Sequence, residues 1–416
     1  MMSLEEQLAA ARQIILELQR DLLPDAVPVL PRIRMAAHYV VAAPELHAGG
    51  DWFDAVPLPD GRLALVVGDV VGHGAAAAAA MSRLRTVLRE SLLTGAVPPA
   101  AEAGAPAFDV GASAAEVVDP MAGAIHLMAE AVDRLDRYAA TSPATRAATV
   151  CLALLDPSTG DLAWISRAHP PPLVCTPDGR ARFLDTGRAA PLGVGLPSSP
   201  PARALLAPGE VVLLYSDGLV QRPGETLADG LSRLARIAGA AIADSGSSTP
   251  CPAERLCGTT VEQITRDAVH DDVTALAACL LPAAPASLEL SVPAAASSLP
   301  SVRAAVSDWL LTTIGADPDD EAALTPAISE AATNVTRHAY PDRPTGELRV
   351  SLSLEDSGVV RAVVADDGAW QEPACSGRGL PLMHDCGSLN LDRRPNGTTV
   401  VIRRELRHRA VAGAVP

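Results

Sequence analysis

The stretch GGDWFDAVPLPDGRLALVVGDVVGHG, residues Gly49–Gly74, decides how this chain is read. VPLPDGRLALVVGD reads as strand, turn at Pro59-Asp60-Gly61, strand. The hairpin therefore carries a carboxylate at each outer end, Asp51 where it opens and Asp69 where its apolar run closes. A lone charge at the end of a buried strand is costly. If the register brings the two strand ends together, Asp51 and Asp69 converge, and a shared cation offsets that cost.

The same local pattern recurs downstream. Asp217 follows the apolar run EVVLLYS, and Asp271 stands at the mouth of DDVTALAACLL. Carboxylates on rigid strand ends, with glycine letting backbone approach closely, suit hard divalent cations that take oxygen ligands and keep several waters. Two such ions a few ångströms apart can generate a hydroxide and clamp a phosphoryl group. Taken singly, an aspartate beside glycine usually makes a turn. Asp60 in LPDGR and Asp178 in TPDGR are read that way, and Asp54 lies on an unassigned face. The four strand-mouth aspartates together carry the reading.

The rest of the composition narrows the field. The chain has 416 residues, enough for two or three domains with real cores. Its formal net charge is -16 and it contains no lysine. That balance argues against nucleic acid or an anionic membrane as partner, and the missing lysine rules out a catalytic Lys. The seven cysteines (Cys151, Cys175, Cys251, Cys257, Cys279, Cys375, Cys386) show no CxxC pair, so reduced buried thiols are expected rather than zinc or disulfides. The N-terminus MMSLEEQLAA is unlike a signal peptide, and no segment reads as a membrane span. A cytoplasmic protein is expected.

Along the chain, Leu4 to Leu23 has helical apolar spacing that Pro24 stops, serving either core packing or a homodimer seam. Helices are expected over Ala75–Leu93 and Met121–Tyr138, with a flexible insertion between them covering 94–119. TVCLALLDPSTGDLAWIS reads as a hairpin, and EVVLLYSDGLV as a strand ending at Asp217. AIADSGSSTPCPAERLCG reads as a surface loop. Ala- and Pro-rich sequence then marks a boundary, with a linker over 283–298. Beyond it come helices Ser301–Ile314 and Asp319–His338, a hairpin turning at Asp356-Ser357-Gly358, and a last strand GTTVVIRREL.

The motifs DLLP, GGDWFDA, GDVVGHGAAAAAAM, AHPPPLV, PLGV, YSDGLV and DDVT occur in this order. Over Asp21 to Leu281 the chain resembles the SpoIIE/RsbU-type protein phosphatases of the PPM superfamily. The resemblance implies an α-β-β-α sandwich with a binuclear Mn²⁺ or Mg²⁺ site. By motif, Asp51, Asp69, Asp217 and Asp271 would be the catalytic metal ligands, joined by the Val70 carbonyl and by Asp272 as neighbour. The family typically shows AGHPPPL where this chain has Arg167-Ala168-His169-Pro170, so one glycine is lost. His73 is a candidate general acid, but its offset from Asp69 favours a structural role.

A second constellation follows the boundary. AISEAATNVTRHAY sets Glu330, Asn334 and His338 on one helical stripe bordering the apolar face of Leu324, Ile328, Ala331 and Val335. A solvated face is the bland reading, and an amide between two ionisable groups beside a core suggests a lined pocket. VVADDG ends a strand with Asp366 and Gly368, and SGRGLPLM offers Gly377 and Gly379 at a helix start, where backbone N–H groups can approach phosphates. Together these features, over Ser287 to Leu406, resemble the GHKL ATPase fold of RsbW-like anti-sigma-factor kinases. The resemblance implies ATP with Mg²⁺: Glu330 as general base, Asn334 on Mg²⁺, Asp366 on the adenine amine, Gly368, Gly377, Arg378 and Gly379 shaping the ATP lid, and Thr398 at the adenine end.

The expected fold class is α+β, a PPM-type α-β-β-α sandwich followed by a GHKL/Bergerat-type α/β two-layer sandwich. The expected layout is an N-terminal helix over 1–24, a phosphatase domain over 25–282 and an ATPase-like domain over 287–406. The resemblances imply a protein serine/threonine phosphatase whose substrate is a phosphorylated STAS-domain anti-sigma-factor antagonist, fused to a kinase-like module that binds the antagonist or a sigma factor in a partner-switching pathway. The alternative is a non-catalytic C-terminal module that only sequesters its partner. A generic phosphatase of small phosphoesters is a third option.

Overall fold

The computed structural model describes residues 23–41, 49–72, 74–95, 119, 121–185, 187, 189–196, 199–244, 251–266, 271–340, 346–368, 379–394 and 396–414. Residues 4–22 of the N-terminal helix, His73, most of the 94–119 insertion, Cys375, Gly377 and Arg378 lie outside them. The chain divides into two compact units, one built mainly from Arg34–Leu281 and the other mainly from Pro282–Arg409. The short strand β1 (Ala26–Pro28) comes first, Pro28–Ile33 belongs to the second unit, and the chain from Ala410 onward returns to the first.

The first unit holds two sheets. In one, β3 (Trp52–Pro57), β4 (Leu63–Asp69), β5 (Thr149–Leu155), β6 (Asp161–Arg167) and β9 (Ala202–Leu205) run in that order, every pair antiparallel. The other contains β2 (Ile33–Val41), β7 (Leu173–Cys175), β8 (Ala181–Phe183), β10 (Val211–Tyr215), β11 (Val273–Leu280) and β18 (Val411–Ala414), ordered β18-β2-β11-β10-β7-β8. Strands β5, β10 and β11 are buried almost throughout and read as unbroken apolar runs, because each sheet is covered on both faces.

Helices α1 (Ala75–Gly95) and α2 (Ala122–Ala139) close one side. Ala77, Met81, Leu84, Leu88 and Leu92 of α1 recur at helical spacing and share one core with β3 to β6. Helices α3 (Leu227–Ala243) and α4 (Pro252–Thr265) close the other side over β7, β10 and β11. This is the expected α-β-β-α sandwich. Strand β10 stops at Tyr215, however, and Asp217 opens a short 3₁₀ turn instead of ending the strand. In the stretch read as a surface loop, the described residues fall mainly at the end of α3 and the start of α4. Pro252 sits in the first turn of α4, where a missing N–H costs nothing, and Ala253, Leu256, Cys257, Thr260, Val261 and Ile264 are its buried face.

The second unit is a five-stranded antiparallel sheet ordered β12 (Leu288–Pro293), β13 (Glu347–Leu354), β14 (Val359–Asp366), β16 (Gly397–Glu405), β15 (Ser388–Arg394). Helices α5 (Leu299–Asp308), α6 (Pro318–His338) and α7 (Gly379–Cys386) share one core with the inward side chains of that sheet. Strand β17 (Arg407–Arg409) follows β16. Within the stretch read as a linker, Leu288–Pro293 is the edge strand β12. The helix expected over Ser301–Ile314 is α5 followed by a π turn over Trp309–Thr313. Strand β15, SLNLDRR, has no counterpart in the sequence reading. Among the described residues no helix is long and apolar enough to cross a membrane.

Candidate active site

The β3–β4 hairpin sets the geometry of the first site. Trp52 pairs with Gly68, and Val70 N–H donates to the Gly50 carbonyl at 3.2 Å, so Asp51 and Asp69 stand opposite one another. Two glycines permit this closeness. A Cβ on Gly50 would lie 2.2 Å from the Val70 carbonyl oxygen, and one on Gly49 would lie 1.9 Å from the Asp272 carboxylate.

The β10–β11 ladder supplies the other half. Tyr215 pairs with Ala275, which brings Ser216 opposite Thr274 and Gly218 beside Asp272. Ser216 N–H donates to the Thr274 carbonyl at 3.0 Å, while Thr274 N–H donates to the Ser216 hydroxyl at 2.9 Å. Thr274 Oγ1 in turn donates to Asp51 Oδ2 at 3.0 Å. Neither Ser216 nor Thr274 was singled out by the sequence reading. The signal available was a hydroxyl residue one to three places from a strand-mouth aspartate, in YSDG and DDVT.

The electrostatics record the crowding. Burial, then Asp69, Asp272 and Asp217, hold the Asp51 carboxyl well above its ordinary range, against a side-chain hydrogen bond from Ser216. Burial, then Asp217, Asp271 and Asp272, push Asp69 up to about 7. Asp217 is raised by burial and by Asp271. The structure thus brings Asp51, Asp69, Asp217, Asp271 and Asp272 into one electronegative cluster.

Among the described residues no three His, Cys, Asp or Glu side chains form a ready-made metal cage. An all-oxygen set fits Mg²⁺ or Mn²⁺, which take oxygen ligands and keep several waters, better than zinc. Like charges this close repel unless protons or cations intervene. The residues present therefore fit a hard-cation site.

Asp54, unassigned from sequence, points elsewhere. It is buried and paired with Arg89 at 2.9 Å and Arg85 at 3.3 Å, one turn apart on α1. Asp60 and Asp178 make the expected local turn contacts with Arg62 and Arg180. His169 is buried, with Nδ1 2.7 Å from Thr149 Oγ1 and no hydrogen-bond partner on Nε2. Burial lowers its pKa to about 3, despite an opposing pull from the Tyr215 carbonyl. Ala168, where the resembled family has glycine, adopts φ +54°.

In the second unit, Asp366 is buried at the end of β14, and its Oδ1 accepts from Gly368 N–H at 2.9 Å and Thr398 N–H at 3.3 Å. Burial raises the pKa of its carboxyl, against those two backbone bonds. Thr398 is buried beside it on β16. Glu330 and Asn334 are half-buried on α6, and His338 is exposed at the helix end. A Cβ on Gly368 would lie 2.1 Å from the Ala339 carbonyl oxygen, so glycine lets the end of α6 meet the turn after β14. Tyr340, also missed from sequence, ties the two together: its hydroxyl donates to the Asp367 carboxylate and accepts from Asp367 N–H at 3.1 Å and Glu347 N–H at 3.2 Å. Gly379 opens α7.

Comparison with known proteins matches this architecture twice. Residues 59–281, more than half of the chain, match Stage II sporulation protein E (SpoIIE). The chain belongs to the SpoIIE family of PPM serine/threonine phosphatases. Residues 292–404 match the histidine kinase-like ATPase domain. The SpoIIE-family chain is similar to the crystal structure of the RsbU and RsbW domains of Rv1364c from Mycobacterium tuberculosis, with 34% identity and TM-score 0.77 over 94% of this chain and 98% of that one. It is also similar to Protein IcfG of Synechocystis sp., 28% identical over 221 residues, which is 50% of this chain and 32% of that protein. The SpoIIE-family chain thus spans about a third of that relative's length.

Proposed function

We propose that the first unit is a metal-dependent protein serine/threonine phosphatase and that its substrate is a phosphorylated STAS-domain anti-sigma-factor antagonist. The observation that carries this reading is the convergence of five aspartates from the β3–β4 hairpin and the β10–β11 strand ends. Asp51, Asp69, Asp217, Asp271, Asp272 and the Val70 carbonyl would hold two Mn²⁺ or Mg²⁺ ions. Such ions supply a hydroxide nucleophile and stabilise charge on a phosphoryl group. The protein's own part is to hold the carboxylates together and aimed, and bound cations would favour their ionised forms against the burial and mutual repulsion that raise their pKa values. Buried Asp51 anchors the cluster, and half-exposed Asp69 and Asp217 leave it open to water and substrate.

The second unit, in the same proposal, binds ATP with Mg²⁺. Asn334 would hold the ion, Glu330 would take the proton of the acceptor hydroxyl, and Asp366 with Thr398 would receive the adenine. Gly368, Gly377, Arg378 and Gly379 would shape the lid over the phosphates. The presence of both Glu330 and Asn334 supports phosphoryl transfer over simple sequestration of a sigma factor. Opposing activities in one chain suit a partner-switching regulator, in keeping with the paired RsbU and RsbW domains of the similar mycobacterial structure.

Asp69→Ala or Asp217→Ala is expected to abolish Mn²⁺-dependent hydrolysis of a phosphorylated STAS protein while circular dichroism stays native. Retained hydrolysis would sink the two-cation assignment. Glu330→Ala is expected to stop transfer from ATP to the unphosphorylated STAS protein while calorimetry still detects ATP binding. A wild type that binds no ATP ends the second assignment.

A further inference from the structure

The hydroxyls beneath the aspartate cluster are arranged in a way that packing alone does not require. Thr274 is the only residue with a polar side chain inside β11 apart from Cys279, and it is fully buried. A valine has the same shape and the same preference for a strand, so a hydroxyl is justified here only by its bonds. Its hydroxyl donates to Asp51 Oδ2 at 3.0 Å, and Asp51 itself is only 2% exposed. Ser216, also fully buried, occupies the opposite position on the neighbouring strand end. There the ladder departs from regular pairing, since Thr274 N–H donates to the Ser216 hydroxyl at 2.9 Å. The Ser216 hydroxyl, having accepted from that N–H, donates to the Asp272 carbonyl at 3.4 Å, so it ties the strand end that carries Asp217 to the segment that carries Asp272 and Thr274.

We infer that Thr274, braced by Ser216, forms a hydroxyl clamp that fixes the rotamer of Asp51, the Thr274 hydroxyl holding Oδ2 and leaving Oδ1 to a divalent cation. Thr274 and Ser216 are positioning residues, and the inference rests on the two-cation reading of the cluster. Groups that orient a metal-ligating carboxylate typically change metal affinity by about 10–100-fold when removed. Loss of the clamp leaves the carboxylates in place but lets Asp51 rotate. The defect is then in cation affinity and is overcome by excess cation.

The test is calorimetric titration of the full chain with Mn²⁺ alone, on the wild type and on Thr274→Val, Thr274→Ser and Ser216→Ala. A second readout is the Mn²⁺ dependence of p-nitrophenyl phosphate hydrolysis. Thr274→Val is expected to weaken Mn²⁺ binding by about 10–100-fold. Its kcat at saturating Mn²⁺ is expected to stay near wild type, and Thr274→Ser to restore binding. Ser216→Ala is expected to weaken binding in the same direction, which keeps the clamp testable should Thr274→Val fail to fold. Wild-type Mn²⁺ affinity in both Thr274→Val and Ser216→Ala overturns the clamp and leaves the two-cation reading standing. A kcat that falls and stays low at any Mn²⁺ concentration also overturns it, because simple structural damage behaves that way. Absence of Mn²⁺ binding by the wild type overturns the clamp and the two-cation reading together.

Discussion

Among single residues, Ala168 is a position where side chain and backbone conformation disagree. Its motif lacks the usual glycine, yet the backbone keeps the left-handed conformation that glycine would favour, with φ +54°. An alanine there is strained, because its Cβ crowds the following carbonyl. Ala168→Gly is therefore expected to stabilise the first unit by about 1 kcal/mol in urea unfolding, the relief of strain exceeding the entropy cost of glycine. The adjacent His169 sets a pH dependence. Its folded pKa of about 3 lies below the ordinary value of 6.5, so the unfolded chain binds a proton that the folded chain refuses. Its contribution is complete above pH about 6.5 and is lost as pH falls toward 3, by at most about 1.4 kcal/mol per pH unit. His169→Asn is expected to flatten the acid side of the stability curve between pH 6.5 and 5 in metal-free buffer. An unchanged slope would show that the imidazole is not the group responsible.

At the scale of the element, the β3–β4 hairpin does more than connect two strands. Its register is the device that places Asp51 against Asp69, and Gly68 is one of its tightly packed points. A Cβ at Gly68 would lie 2.2 Å from the Trp52 ring, which is itself fully buried. Gly68→Ala is expected to cost about 1–3 kcal/mol by overpacking. Because Trp52 adjoins Asp51 and Gly68 adjoins Asp69, the same change is expected to weaken Mn²⁺ binding; thermal melts with and without Mn²⁺ check both effects. The hairpin was readable in the sequence because a Pro-Asp-Gly turn separates two runs of strand-forming residues. Helix α4 was not. Its Ser-, Thr- and Pro-rich lead-in resembles a loop, and its apolar face becomes evident only once Leu256, Val261 and Ile264 are packed under β10 and β11. Strand β15 was missed for a related reason. It is a polar edge strand, and its hydrogen bonds to β16 decide its conformation more than its composition does.

For the whole molecule, the chain consists of two units with separate cores, and the two proposed ligands belong to different ones. Mn²⁺ and ATP are each expected to raise thermal stability, by an amount that grows with the logarithm of ligand concentration above Kd. Asp51→Asn is expected to remove the Mn²⁺ shift and leave the ATP shift, whereas Asp366→Asn is expected to do the reverse. A variant that loses both shifts would contradict the assignment of one ligand to each unit.

The sequence by itself determined the fold class and the residue types of the first cluster. Strand period, turn chemistry and the order of the motifs are local properties, and local properties survive in one dimension. It also marked Asp366 and Gly368, because a strand end followed by glycine is a local pattern. Only the tertiary structure decided that Asp54 turns away to Arg85 and Arg89, that Ser216 and Thr274 lie beneath Asp51, and that Tyr340 ties the end of α6 to Asp367. Each of those depends on which residues from distant strands and helices become neighbours. Ser216 and Thr274 are 58 positions apart, and Thr274 and Asp51 are 223 apart. Hydrogen bonds and ion pairs act over a few ångströms, so no spacing rule along the chain can foresee them.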